Sequence, residues 1–209
     1  VRFAVNAKTL QDAIKEIPDQ PLECYLNTDT FELTIEYQNG QYKLMGQSAD
    51  EYPTPIINDE DSMVFKMGSN HLFAGISRCM ITAANDTLRP QMNTVCFDIH
   101  EHTLSLVSTN GNQLALTRMP LPSIDRDGSY LLNTRPASLL KGMLTKVDEE
   151  AELTLSSRTI IVTTNDYTFT SRLVEGRFPN YRSVIPQNNP NEVTVNRQAL
   201  VSALRRVLV

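Results

Sequence analysis

The sequence predicts an α+β fold made of a repeated unit, one amphipathic helix packed on antiparallel strands. Three observations predict it. Short strand-then-helix openings recur near residues 2, 64, 129 and 192, a period of about 64 residues. Each opening places apolar residues at i and i+2, then at spacings of three and four, so a period-2 strand hands over to a helix with one apolar stripe. Between the helices lie further period-2 segments separated by turn residues, the pattern of antiparallel hairpins.

Taken in order, Phe3 and Val5 begin the first strand, and Leu10, Ala13, Ile14 and Ile17 form the first helical stripe. Asn39-Gly40, between Leu33-Thr34-Ile35 and Tyr42-Lys43-Leu44, is a hairpin turn signal. A proline- and Asp-rich break at 54–61 is expected to be a linker. Phe65-Lys66-Met67 then opens the second unit, with Leu72, Phe73, Ile76 and Met80 as its stripe. Thr94–Ile99 and Thr103–Val107 follow as strands. The third unit opens at Tyr130 and Leu132, and Leu139, Leu140, Met143, Leu144 and Val147 make its helix. Its strands are expected at 151–155 and 159–163, and 187–191 is a second linker. Val193-Thr194-Val195 with Leu200, Val201, Leu204, Val207 and Leu208 begins a fourth unit. The expected organisation is half a domain (1–53), a whole domain (62–186) and the first strand and helix of a third (192–209). The chain begins at Val1 and stops within an apolar pattern, so it is expected to be an internal fragment.

Chemistry-bearing motifs are sparse. Cys24, Cys79 and Cys96 have no CxxC spacing and are expected to be buried thiols in a reducing compartment. His100 and His102 flank Glu101. On a strand they would share a face, as metal ligands can, but a polar hairpin turn between two apolar strands is the expected reading. No phosphate-binding glycine loop, nucleophile elbow or metalloprotease motif occurs, and no spacing selects a catalytic carboxylate pair. No apolar run is long enough to span a bilayer. No metal or cofactor is expected.

The formal net charge of −5 argues at first against a polyanionic partner. Its distribution reverses that. Segments 69–83, 135–147 and 196–209 hold Arg78, Arg135, Lys141, Lys146, Arg197, Arg205 and Arg206 and no acidic residue; the rest carries 12 basic and 24 acidic residues. Lys and Arg are good helix formers, which would account for a merely solvated face. Repeated helices set side by side would instead form one basic surface that binds phosphates without reading bases. The first helix is mixed, with Lys8 and Lys15 beside Asp12 and Glu16. No aromatic residues interleave these charges, so stacking on single strands is not indicated.

Arg172-Leu173-Val174-Glu175-Gly176-Arg177-Phe178-Pro179-Asn180-Tyr181-Arg182-Ser183-Val184-Ile185-Pro186 resembles the hallmark segment of the bacterial DNA polymerase III β subunit family, the sliding clamps. Leu88–Val95, Ser108–Ala115, Val5–Lys8 and Val195–Leu200 resemble further segments of that family in the same order, so the resemblance covers the whole chain. It implies the DNA-clamp fold: three similar domains of two half-domain repeats, two subunits closed head to tail, helices lining the hole and sheets outside. The implied role is non-catalytic. The ring encircles duplex DNA without sequence preference and tethers the polymerase, in the bacterial cytoplasm at the nucleoid.

On that resemblance Lys8, Lys15, Arg78, Arg135, Lys141 and Arg197 would face DNA, with Lys146, Arg205 and Arg206 at the flanks. Met92, Thr109, Gly111, Asn112, Gln113, Leu114, Pro179, Ser183 and Val184 would wall a groove for linear peptides of the polymerase, the clamp loader and repair proteins. The strand near Tyr42-Lys43-Leu44 resembles the edge that pairs with the partner subunit in the homodimer. Asn112 and Gln113 depart from the family's usual His-Arg, and Ser183 stands where many relatives carry Arg, so polar contacts to a peptide would differ. The rest of the groove would come from a carboxy-terminal segment beyond this sequence. Two other readings compete: an α+β hydrolase with an unrecognised carboxylate pair, and a protein-binding repeat scaffold with no nucleic-acid role.

Overall fold

The computed structural model describes residues 2–52, 62–85, 88–144 and 149–208. The chain forms two compact units, Val1–Ile56 and Ile57–Val209. The expected linker at 54–61 lies outside the described residues, as do Lys146 and Val147.

In the first unit, β1 (Phe3–Val5), β2 (Glu23–Leu26), β3 (Glu32–Tyr37) and β4 (Gly40–Ser48) form an antiparallel sheet in the order β1-β4-β3-β2. Helix α1 (Ala7–Ile14) begins at Asn6, whose side-chain oxygen accepts from the Thr9 N–H at 3.0 Å, and it packs on β4. Leu33, Ile35 and Leu44 are the buried centre, covered by Phe3, Val5 and Leu10. The hairpin turn falls one residue earlier than the Asn-Gly signal suggests. Tyr37 pairs with Gly40, so Gln38-Asn39 is the loop. Gly40 is selected by close approach instead: a β carbon there would stand 2.9 Å from the Tyr37 hydroxyl, where the Tyr37 ring stacks on Tyr42 at 5.5 Å. Cys24 is exposed, contrary to expectation, because β2 is the sheet's edge strand and its burial pattern is almost wholly open.

The second unit has two four-stranded antiparallel sheets. One runs β12 (Thr168–Arg172), β11 (Thr159–Thr163), β10 (Glu150–Leu155), β5 (Met63–Gly68); the other runs β8 (Leu114–Pro120), β7 (Thr103–Thr109), β6 (Thr94–His100), β9 (Gly128–Asn133). Helices α2 (Ser69–Cys79) and α3 (Thr134–Met143) pack against each other and share one apolar core with both sheets. Leu72 and Ile76 of α2, Ala137 and Leu140 of α3, and Phe97, Leu106, Leu153 and Ile160 from the strands are all fully buried there. Burying each large side chain contributes roughly 1.5–3 kcal/mol. Strand β10 alternates buried and open, as a one-sided strand should, whereas β6 and β7 are buried on both faces. Their second face is covered by the segment carrying Val174, Phe178, Tyr181 and Ile185, which packs on Cys96, Val107 and Leu131.

Some expected apolar positions differ, and Ile14 of the α1 stripe is exposed. Leu139 is 61% exposed, so the α3 stripe runs through Ala137, Leu140, Met143 and Leu144 instead. Val193-Thr194-Val195 is not a strand, since no neighbour hydrogen-bonds to it among the described residues. Helix α4 (Arg197–Val207), capped by Asn196, buries none of its residues. The His100–Thr103 connection is the expected hairpin turn. Glu101 and His102 both have positive φ, 47° and 57°, the geometry of a two-residue loop that follows the strand twist.

Candidate nucleic-acid and peptide interfaces

The cationic residues occupy helix surfaces. Arg78 sits in the last turn of α2, Arg135 in the first turn of α3 and Lys141 in its last turn. Arg78 and Arg135 are exposed and Lys141 is half-buried. None of the three forms an ion pair with a carboxylate among the described residues. Their charge is therefore available to a ligand. Arg78 and Lys141 also lie where the negative end of the helix dipole favours a cation. Lys8 is exposed on α1. Lys15 is its C-cap and is already paired with Asp12 at 3.0 Å and Glu16 at 4.0 Å. That exposed pair contributes about 0–1 kcal/mol, small enough for a phosphate to compete with it. Arg197 opens α4 and Arg205 and Arg206 close it, all exposed.

Three segments far apart in sequence converge on one side of the second unit. The loop between β7 and β8 is organised by Asn110, whose side-chain oxygen accepts from the N–H groups of Asn112 at 3.0 Å and Gln113 at 2.8 Å. The Thr109 hydroxyl accepts from the Gly111 N–H at 3.1 Å and donates to the Gln113 carbonyl at 2.7 Å. Gly111 has φ +94°, and a β carbon there would lie 3.7 Å from Met92 Cε. Gly176, at φ +118°, approaches Gln91 so closely that a β carbon would stand 2.9 Å from its side-chain nitrogen. Both glycines thus serve left-handed backbone and the second also serves contact. The 89–93 loop is tied to α3 by the Thr134 N–H and hydroxyl, which donate to the Asn93 backbone and side-chain oxygens at 3.1 and 2.6 Å.

Of the expected groove residues, Met92 and Gly111 are adjacent, and Leu114 packs on the cluster that holds Tyr181. Asn112 and Gln113 are exposed at the turn tip. Pro179 is exposed, and Ser183 and Val184 lie on the 3-10 turn Tyr181–Val184, with Val184 68% exposed. Ile185, not Val184, is the neighbour that packs toward the Leu114 cluster. On β4, Gln41, Lys43, Met45 and Gln47 form an open face, while Leu44 on the other face is core and Tyr42 beside it is exposed.

The sequence reading missed a polar network beneath this segment. The Tyr181 hydroxyl donates to Asp98 Oδ2 at 2.7 Å, and Arg182 Nη2 donates to the same oxygen at 2.8 Å. Beside it opens a cleft of about 430 Å³ lined by residues that include Cys96, Asp98, His100, Asp127, Ser129 and Pro179. Asp127 is held below the usual carboxylate range mainly by its hydrogen bond with His100. A thiol, an imidazole and a carboxylate in one cleft are the components of a hydrolase. However, burial pushes the Cys96 thiol up to about 12, so it stays protonated and is no nucleophile at neutral pH. No group of three or more His, Cys, Asp or Glu side chains placed to hold a metal ion occurs among the described residues, and no described helix is long and apolar enough to cross a membrane.

Comparison with known proteins gives this architecture its relatives. A beta sliding clamp of Pseudomonas putida is 29% identical over 208 residues, covering 99% of this chain and 56% of the relative. The crystal structure of the DNA polymerase III subunit beta from Pseudomonas aeruginosa superposes with a TM-score of 0.85 at 26% identity, covering 98% of this chain and 56% of that one. The sliding clamp structure from Bacillus subtilis matches with the same TM-score at 22% identity, over 98% of this chain and 53% of the other, a likeness of fold. The chain thus spans little more than half the length of these relatives. Residues 66–180 match the central domain of the DNA polymerase III beta subunit, and the chain belongs to that family.

Proposed function

We propose that this chain is part of a DNA sliding clamp, a non-catalytic ring subunit that encircles duplex DNA and confers processivity on the replicative polymerase. The observation that carries this reading is the cationic set Arg78, Arg135 and Lys141, unpaired among the described residues, on two helices packed side by side in a chain that is otherwise acidic. With Lys8, Lys15 and Arg197 they supply long, sequence-independent contacts to phosphates, weak enough singly to permit sliding.

On this reading residues 1–53 are the second half of a first clamp domain, 62–186 a complete second domain, and 192–209 the opening of a third, with linkers at 54–61 and 187–191. The uncovered apolar residues Leu200, Val201 and Leu204 of α4 support the last assignment. The ring is a homodimer in the bacterial cytoplasm. One seam uses the β4 edge, since β1 pairs only with residues 46–48 and leaves the stretch before it open on that side. Polymerase, clamp loader and repair proteins dock linear peptides in a groove between the 109–114 turn, Met92 and the 179–184 segment.

The test is primer extension by the cognate polymerase on a circular template. The complete subunit, loaded on the template, lengthens the product made in a single binding event. Products of unchanged length would contradict the proposal.

A further inference from the structure

We propose that Asp98 is a positioning residue for the peptide groove, fixing through one carboxylate oxygen the segment that carries Pro179, Ser183 and Val184. That role presupposes the groove assigned above.

The geometry isolates Asp98 as the fixing point. After the Val174 N–H donates to the Leu131 carbonyl at 2.8 Å, residues 175–185 make no backbone hydrogen bond to the sheet among the described residues. Side chains must hold the segment instead. Tyr181 is 7% exposed and packs with Phe178 and Ile185 over Cys96, Val107 and Leu131. Apolar packing of this kind sets depth but not register, because it has no direction. The direction comes from Asp98, which accepts from Tyr181 and Arg182 together. Arg182 Nε also donates to the Tyr181 hydroxyl at 3.3 Å, and its guanidinium carbon lies 5.7 Å from the ring centroid. Asp98 is mostly buried, with its side chain 17% exposed, and Tyr181 is buried, so the bond between them is little contested by water, while Arg182 meets the carboxylate from the solvent side.

Removing the acceptor takes from the Tyr181 hydroxyl and Arg182 Nη2 the carboxylate that ties both to β6; the 3.3 Å contact between Arg182 Nε and the Tyr181 hydroxyl lies within the segment and does not anchor it, so the segment relaxes. Pro179 is two residues before Tyr181, and Ser183 and Val184 follow Arg182 directly. A shift of about 1 Å there is enough to spoil a preorganised binding wall.

The experiment measures, in the complete subunit, affinity for a fluorescent synthetic peptide carrying the clamp-binding segment of its own polymerase, well below the melting temperature of every variant. Hydrogen exchange is followed in parallel. Asp98→Ala should weaken binding by at least about tenfold. Asp98→Asn keeps an acceptor oxygen in the same shape and should restore most of the affinity. Tyr181→Phe, a milder change, should fall between them. Faster exchange should be confined to 174–185. Wild-type affinity and exchange in Asp98→Ala would overturn the role. Equal loss in the Ala and Asn variants, in step with melting temperature, would reduce Asp98 to a fold stabiliser. Failure of the unmodified subunit to bind the peptide would sink the groove assignment, and this role with it.

Discussion

Gly75 of α2 lies so close beneath Leu106 of β7 that a β carbon on it would stand 2.6 Å from Leu106 Cδ1. Leu106 is fully buried, so it cannot move freely, and Met119 Cε lies 3.4 Å from the same point. The missing side chain lets α2 settle on β7 and β8 and thereby sets where Arg78 emerges. Gly75→Ala gains about 1 kcal/mol in helix propensity but overpacks the core at a cost of about 1–3 kcal/mol. The expected net is a destabilisation of about 1 kcal/mol, read by denaturant unfolding and relieved when Leu106→Val is added.

The thiols provide a second check. Cys79 donates to the Leu106 carbonyl at 3.2 Å, and burial pushes it up to about 11; burial pushes Cys96 to about 12. At pH 8 a thiol reagent should modify only Cys24 in the folded chain, and all three cysteines in denaturant. Both raised thiols contribute stability that is complete below the ordinary thiol value of 9.0 and lost as pH climbs through about 11 and 12. Unfolding midpoints should fall across that window, and less steeply in a Cys96→Ala variant.

Asn110 forms the 109–114 turn with its side chain rather than with the backbone alone. Asn110→Ala removes the acceptor for two N–H groups and should cost about 1 kcal/mol of stability. Peptide affinity should drop with it, since the turn edge faces Met92. Calorimetric titration alongside thermal melts distinguishes the two effects.

Arg78, Arg135 and Lys141 should act on DNA as charges and not as shapes. Replacing each by Gln should lower the slope of log affinity against log salt by up to about 0.9 per phosphate contact, equally for different DNA sequences. A loss that depended on sequence would contradict the proposed contact.

Much of the fold was legible because it is local. The apolar pair and stripe of each repeat marked α1, α3 and α4, which Asn6, Asn133 and Asn196 cap. The Glu101-His102 turn followed from polar residues between two apolar runs. What failed depended on neighbours. Gln38-Asn39, not Asn39-Gly40, turns the hairpin because Tyr37 needs the space over Gly40. Val193–Val195 alternates like a strand but has no ladder partner among the described residues, and Cys24 lies on the exposed edge strand β2. The Asp98–Tyr181–Arg182 network joins residues more than 80 positions apart, with no periodicity to announce it. The cationic helices were found by dividing the net charge among segments; that α2 and α3 adjoin, and that Lys15 is already paired, required the structure.

The central claim is topological: the complete subunit holds DNA by surrounding it. The most direct measurement is its lifetime on a nicked circle before and after the circle is cut by a restriction enzyme. Encirclement predicts long retention on the intact circle and rapid loss from the free ends after linearisation. Equal lifetimes on circle and linear DNA would contradict it.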